Sequence, residues 1–95
     1  PPDLLEVKAW LLDHLEDHYH LYGEFTGVRS ARKHLGWYAQ ALPLPAGAAV
    51  VFRNRINALT TAQAQLDCVR DSFDAWAATG PDHPMTREDN WKLAA

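Results

Sequence analysis

The chain has 95 residues, of which 47% are hydrophobic and 22% charged, with four Trp, one Cys and a formal net charge of −3 at pH 7. This length allows one domain with one core, and this composition excludes an intrinsically disordered chain. A lone Cys excludes an internal disulfide and favours a cytoplasmic protein, and no apolar run reaches the roughly 18 residues that span a membrane.

The first predicted helix begins after Asp3, which has the capping-box spacing to Glu6. Apolar residues recur behind it at helical spacing as far as Tyr22, and Gly23 is the predicted stop. The predicted stripe comprises Leu4, Val7, Leu11, Leu15, His18 and Tyr22, with Leu12 and Tyr19 as apolar neighbours.

A second helix is predicted over residues 27–42 and a third over residues 46–59, because Pro43 and Pro45 between them cannot continue a helix. Thr60 and Gln63 predict a capping box for a fourth helix that ends at Gly80. The three predicted stripes are Val28, Ala31, Leu35, Tyr38 and Leu42; then Ala48, Phe52, Ile56 and Leu59; then Ala62, Leu66, Val69, Phe73 and Trp76.

These four segments, joined by short links and accompanied by no strand pattern, predict an all-α fold. We expect a single antiparallel bundle of about four helices over residues 1–80 and an irregular, flexible tail over residues 81–95. A start without Met predicts a fragment of a longer chain, and the residues from Lys92 to Ala95 resemble a vector-derived tail.

The charges are segregated along the chain. Residues 25–66 contain no Asp or Glu, whereas the flanking segments 1–24 and 67–95 each contain six of the twelve acidic residues. A cationic middle in an otherwise acidic domain predicts an anionic partner, with nucleic acid as the leading candidate. The acid-free segment carries five of the nine Lys and Arg residues: Arg29, Arg32, Lys33, Arg53 and Arg55.

On a helical wheel the second helix presents a cationic sector opposite its apolar stripe. Gly36 lies in this sector, and a glycine there favours close approach of another backbone, from protein or nucleic acid. Guanidinium and ammonium groups suit phosphate oxygens, so the sector predicts RNA contacts. The alternatives are a solvated helix face or a face neutralised by acids of the first helix. The predicted RNA-binding residues are Arg29, Arg32, Lys33, His34, Trp37, Gln40, Arg53 and Arg55.

Other candidate sites are weaker. His14 and His18 share a helix face as two zincin ligands do, but Leu15 stands where the zincin Glu would be, so no metal site is predicted. Cys68 lies among apolar neighbours and is predicted to be a structural thiol. Phosphate-loop, dinucleotide and serine-hydrolase motifs are absent from the sequence. The isolated chain is therefore predicted to have no catalytic residue.

The run Gly27-Val28-Arg29-Ser30-Ala31-Arg32-Lys33-His34-Leu35-Gly36-Trp37-Tyr38 resembles the C-terminal helical domain of bacterial tRNA-dihydrouridine synthases of the B subgroup. The segment over residues 52–57, Phe-Arg-Asn-Arg-Ile-Asn, also resembles this family, and the likeness covers about residues 4–76. One departure is Ser30, where a larger apolar residue is expected.

The resemblance implies a parent enzyme with an N-terminal flavin-binding (β/α)₈ barrel that reduces uridines of tRNA to dihydrouridine with FMN and NADPH. A barrel cysteine would act as general acid, and the helical domain would help to hold the tRNA. The resemblance thus implies tRNA and the barrel of the same protein as partners, a monomer, and no cofactor in this chain. The basic block matches tRNA contacts, and Tyr38 is assigned to packing. The alternative is a helical protein-interaction module without direct RNA contact.

Overall fold

The computed structural model describes residues 3–79, which form four helices: α1 (Leu4–Tyr22), α2 (Glu24–Ala41), α3 (Ala48–Ala58) and α4 (Ala62–Thr79). No strand occurs in this part of the chain, so the predicted all-α fold is confirmed. None of these helices combines the length and apolarity needed to cross a membrane. The predicted tail over residues 81–95 lies outside the described residues.

The helices pack as an antiparallel bundle. Lys8 pairs with Asp74 and Tyr19 with Gln65, so residue numbers rise along α1 as they fall along α4. Contacts of α2 with α1 and with α3 follow the same reversed order. The closest neighbours are therefore α1 with α4, α1 with α2, and α2 with α3.

The core lies where the predicted stripes meet. The stripe of α1 shifts at its end, because Tyr22 is exposed on the last residue of the helix while Tyr19 packs against the core. The other stripes are confirmed in their centres, with Ala39 of α2 added. The buried apolar residues are Leu11, Leu15, Val28, Ala31, Leu35, Ala39, Phe52, Ile56, Val69 and Phe73.

The polar residue Gln65 is fully buried, which the apolar pattern did not predict. The Tyr19 hydroxyl donates to Gln65 Oε1 at 2.6 Å, and Gln65 Nε2 donates to the Val28 carbonyl at 3.0 Å. Burial, followed by the nearby Glu24 carboxylate, raises the pKa of Tyr19 to about 12. The phenol therefore stays protonated and keeps its donor, so that one amide joins α1, α2 and α4.

A single residue turns the chain from α1 into α2. Gly23 has φ +79°, a conformation that side-chain-bearing residues rarely adopt, and its N–H donates to the Tyr19 carbonyl at 2.8 Å. The Gly27 N–H donates to the Gly23 carbonyl in turn, so α2 begins at Glu24 rather than at the predicted Gly27. The two helices approach each other closely after the turn, where Gly27 packs against Tyr19.

The remaining boundaries differ from the predictions by one or two residues. Helix α3 begins after Gly47, which has φ +81°, and ends one residue before Leu59. The predicted Thr60–Gln63 capping box is wrong. The Thr61 hydroxyl, not that of Thr60, accepts from the Ala64 N–H at 3.1 Å, and Gln63 Nε2 donates to Asp67 at 2.9 Å. Two adjacent threonines made the cap ambiguous by one position.

Candidate nucleic-acid interface

The candidate interface is the side of α2 that faces α3, together with one arginine of α3. We define the cationic face as Arg29, Lys33 and Gln40 on α2 with Arg53 on α3. The three α2 side chains are exposed, and they follow one another at intervals of four and seven residues, which places them on one helix side. Arg55 lies two positions from Arg53, about 200° around α3, and is not brought onto this face.

The cations of the acid-free segment are not paired with carboxylates in the part of the chain that the structure describes. The described ion pairs are formed by Lys8 with Asp74 at 2.7 Å and by Arg70 with Asp67 and Asp71 at 3.2 Å each. Both of these cations lie outside residues 25–66. Within residues 3–79, the acids of α1 therefore do not neutralise the cationic face.

Gly36 is not the open spot that the helical wheel suggested. It is buried, and a Cβ atom built on it would lie 3.1 Å from Cδ of Arg53. The predicted close approach thus comes from a side chain of the protein itself. The aliphatic stem of Arg53 thus lies over α2 at Gly36, and Lys33 and Gln40 each lie within about one turn of Gly36 on the same helix.

Arg29 has an aromatic neighbour rather than a carboxylate. Its guanidinium carbon lies 5.3 Å from the ring centroid of Phe25, one helical turn earlier. Both side chains are exposed. A cation–π contact restrains the side chain but leaves its N–H donors available to an anion.

Arg32 serves the fold. Its Nη2 donates to the carbonyl of Leu59, at the C-terminal end of α3, at 2.9 Å, and its Nε is buried without a hydrogen-bond partner among the described residues. A cation is stabilised at a helix C-terminus by the helix dipole. On the other side of the same connection, the Ala62 N–H donates to Glu24 Oε2 at 2.8 Å. Arg32 and Glu24 thus clamp α2 to the α3–α4 turn, and a role of Arg32 in RNA binding stays a prediction.

His34 lies towards α1 instead of the cationic face. Its ring is 5.9 Å from that of His18, whose Nε2 lies 2.7 Å from Ser30 Oγ. The Ser30 hydroxyl also lies 3.0 Å from the Thr26 carbonyl and 3.3 Å from the Gly27 carbonyl, so the imidazole tautomer decides whether His18 or Ser30 donates in this contact. The small Ser30 side chain thus holds a polar contact across the α1–α2 seam.

The pKa of His18 is lowered, first by burial and then by the nearby imidazoles of His34 and His14. This histidine therefore favours its neutral form in the folded protein.

In the described part of the chain, no group of three or more potential ligands is placed to hold a metal ion. Cys68 is partly buried, with Sγ 3.9 Å from Ser72 Oγ.

Four rings form a row on the exposed side of the α1–α2 seam, which the sequence analysis did not recognise. We call Trp10, His14, Tyr38 and Trp37 the ring row. The Trp10 and His14 rings are stacked with centroids 5.1 Å apart, and Tyr38 contacts Trp10 at 5.9 Å and Trp37 at 5.4 Å. The spacing of four residues between Trp10 and His14 was the available signal.

The described residues form an open groove at the α1–α2–α4 junction, with the carboxylates of Glu16 and Glu24 in its lining. Carboxylates repel the phosphate groups that FMN and NADPH carry, so the lining of this groove does not fit either cofactor.

Fold and site together define a small helical domain whose second helix carries unneutralised cations beside exposed rings. No protein-family model and no solved structure matches the chain. Curated proteins do match it. It is 48% identical over 81 residues to tRNA-dihydrouridine synthase B of Xanthomonas campestris pv. campestris, which covers 85% of this chain and 23% of that protein.

Two further relatives match most of the length of this chain. The chain is 41% identical over 83 residues to tRNA-dihydrouridine synthase B of Pseudomonas syringae pv. tomato, covering 87% of the chain, and 42% identical over 69 residues to that of Vibrio cholerae, covering 73%. The chain spans only 20–23% of the length of these relatives. It belongs to the tRNA-dihydrouridine synthase B family, as its sequence motif predicted, and corresponds to a small part of the full-length members.

Proposed function

We propose that this chain is the tRNA-binding and tRNA-positioning domain of a tRNA-dihydrouridine synthase. The observation that carries the proposal is the cationic face. Two described cations outside residues 25–66 are paired with carboxylates, whereas Arg29, Lys33 and Arg53 are left without a carboxylate partner among the described residues. The relatives are named tRNA-dihydrouridine synthase B, so we take tRNA as the anionic partner of the cationic face.

The domain acts by electrostatic positioning. Lys33 provides a point charge, and Arg29 and Arg53 provide planar donors that match two phosphate oxygens at once. Such contacts fix the orientation of an RNA without reading its sequence, so recognition rests on backbone shape. The domain thereby holds the tRNA while a target uridine is presented to a catalytic site elsewhere in the parent protein.

The chemistry belongs to the rest of the parent. We propose that the parent reduces uridine to dihydrouridine with FMN and NADPH, and that a flavin-binding barrel outside this chain holds both. The proposed setting is a cytoplasmic monomer in which this domain contacts tRNA and barrel. This chain itself then has no catalytic role.

A second candidate function is protein interaction, favoured by an apolar cluster at the α1–α2 turn. Leu21 and Phe25 are 74% and 73% exposed there, and Tyr22 lies between them. Apolar side chains gathered at one end of a bundle are typical of contact surfaces. We propose the barrel of the same protein as the partner, which is compatible with tRNA binding on the cationic face.

The test compares two variants by their affinity for an unmodified tRNA transcript at low salt. The double substitution Arg29→Ala with Lys33→Ala removes two exposed cations of the cationic face. The matched control, Arg70→Ala, removes an exposed cation that is paired with carboxylates. Hydrogen bonds to charged groups contribute about 1.5–3 kcal/mol each, so the double variant should bind at least about tenfold more weakly. Equal affinity of double variant and control would show that tRNA does not contact this face.

A further inference from the structure

The two sides of α2 carry different chemistry. The side towards α3 carries the cationic face, and the side towards α1 carries the ring row. Trp37 links the cationic face to the ring row, because it lies one helical turn after Lys33 and its ring contacts that of Tyr38. A chain of nucleotides that crosses α2 would therefore meet cations on one side and aromatic surfaces on the other.

The ring row exposes far more aromatic surface than the packing of the bundle requires. Trp37 is 64% exposed and Trp10 is 53% exposed, whereas Trp76 packs on the core between Phe52 and Phe73. Two exposed indoles that flank one tyrosine ring are typical of a contact surface. Trp37 at one end of the row lies one helical turn from Lys33, whereas Trp10 lies one turn from the exposed carboxylates of Glu6 and Asp13, so the cationic end of the row is at Trp37.

The row is also ordered as a stacking surface. The planes of Trp10 and His14 differ by only 7°, and Tyr38 meets both Trp10 and Trp37 edge-on. The contacts of Tyr38 restrain each of the two indoles on one side. A restrained ring binds a flat ligand at a lower entropic cost than a mobile ring does.

We propose that the ring row binds an unpaired nucleobase by stacking on Trp37 or Trp10, while Lys33 and Arg29 hold the adjoining phosphates. This inference rests on the proposed RNA-binding function and adds the kind of RNA that the site selects. Surfaces that combine a basic track with aromatic platforms bind single-stranded nucleic acid, because every unpaired base offers a face for stacking. A base in a duplex is stacked already and offers no such face.

The test uses a short unstructured oligoribonucleotide that carries one 2-aminopurine, the same strand with an abasic position in place of that base, and the fully paired duplex. Affinity is measured with the 95-residue chain and with Trp37→Ala, Trp37→Phe and Trp10→Ala. Val50→Ala is the matched control, because Val50 is an exposed apolar residue of α3 away from the row. Circular dichroism verifies the helical fold of each variant.

Loss of a stacking ring should weaken binding of the single strand by about fivefold to 100-fold. We expect this loss in Trp37→Ala or Trp10→Ala, near-normal affinity in Trp37→Phe, and no effect of Val50→Ala. Affinity for the duplex should change less than twofold in all of them, and the loss should be smaller for the abasic strand than for the strand that carries 2-aminopurine. The wild-type chain should quench 2-aminopurine fluorescence, and the alanine variant that loses affinity should not.

Failure of this inference is distinguishable from failure of the proposed function. If both alanine variants bind the single strand as tightly as the wild type, while the Arg29 and Lys33 substitutions weaken binding, the ring row does not stack on bases but the cationic face binds RNA. If the wild-type chain prefers the duplex to the single strand, the inference is wrong as well. If the wild-type chain binds no RNA at low salt, both fall.

Discussion

The substitution Gly36→Ala tests how closely α2 packs against the Arg53 side chain of α3. Gly36 lies inside α2, where glycine is less favourable than alanine by about 0.8–1 kcal/mol. Its substitution also restricts the unfolded chain. The added Cβ would lie 3.1 Å from Cδ and 3.6 Å from Cγ of Arg53, both in a flexible side chain. Arg53 can therefore move by a few tenths of an ångström at little cost.

The net effect of Gly36→Ala should be a gain in the free energy of unfolding of about 0.5–1 kcal/mol. For a domain of this size, that corresponds to a rise in the melting temperature of about 2–8 °C. Because Arg53 shifts by only a few tenths of an ångström and keeps its charge, affinity for tRNA should change little while stability rises. A more stable variant with nearly wild-type affinity is the expected result.

Gly27→Ala is the matched control within the same helix. Its Cβ would lie 3.1 Å from Cδ1 and 3.3 Å from Cα of Tyr19, and the second of these atoms is backbone. Helix α1 would have to move, and overpacking of this kind costs about 1–3 kcal/mol, which cancels or exceeds the gain in helix propensity. Thermal and urea unfolding of both variants measure the difference. If Gly36→Ala is the less stable of the two, the described packing of α2 against α1 and α3 is wrong.

Three further predictions concern the polar contacts of the bundle. Gln65→Leu should lower the free energy of unfolding by about 1–3 kcal/mol in urea, because the Tyr19 hydroxyl loses its buried acceptor, whereas Gln63→Leu on the surface should change it by less than about 0.5 kcal/mol. Arg32→Met should cost about 0.5–1.5 kcal/mol through the lost hydrogen bond to the end of α3, and an unchanged melting temperature would contradict the clamp. The lowered pKa of His18 means that the unfolded chain binds this proton more tightly, so stability should fall as the pH drops below 6.5 towards the folded-state pKa. Melting curves between pH 5 and 7 should show this loss in the wild type and a smaller one in His18→Gln.

Local signals predicted most of the fold. Gly23 ended the first helix as expected because only glycine suits its positive φ, and the two prolines after α2 marked the next break. Boundaries failed where two signals competed, as at Thr60 and Thr61. The burial of Gln65 was beyond local pattern, since its partners lie on α1 and α2, at sequence separations of 46 and 37 residues.

The candidate site was predictable in charge but not in arrangement. The absence of acids over residues 25–66 identified the cations, and the structure leaves them without carboxylates in the described part of the chain. Arg32 bonds to the end of α3, and Gly36 contacts the Arg53 side chain. Both contacts depend on the position of α3, which the sequence pattern of α2 alone does not specify. The ring row likewise requires α1 and α2 to be side by side, so that Trp10 meets Tyr38.

The salt dependence of tRNA affinity tests the central claim most directly. Each cation that releases a counterion from the RNA contributes about 0.7–0.9 to the slope of log K against log salt concentration. Lys33→Ala should therefore reduce the magnitude of the slope by about this amount, and Arg70→Ala should leave it unchanged, because Asp67 and Asp71 already neutralise that charge. Identical slopes for the wild type and Lys33→Ala, or an equal reduction in Arg70→Ala, would contradict the assignment of the cationic face to RNA phosphates.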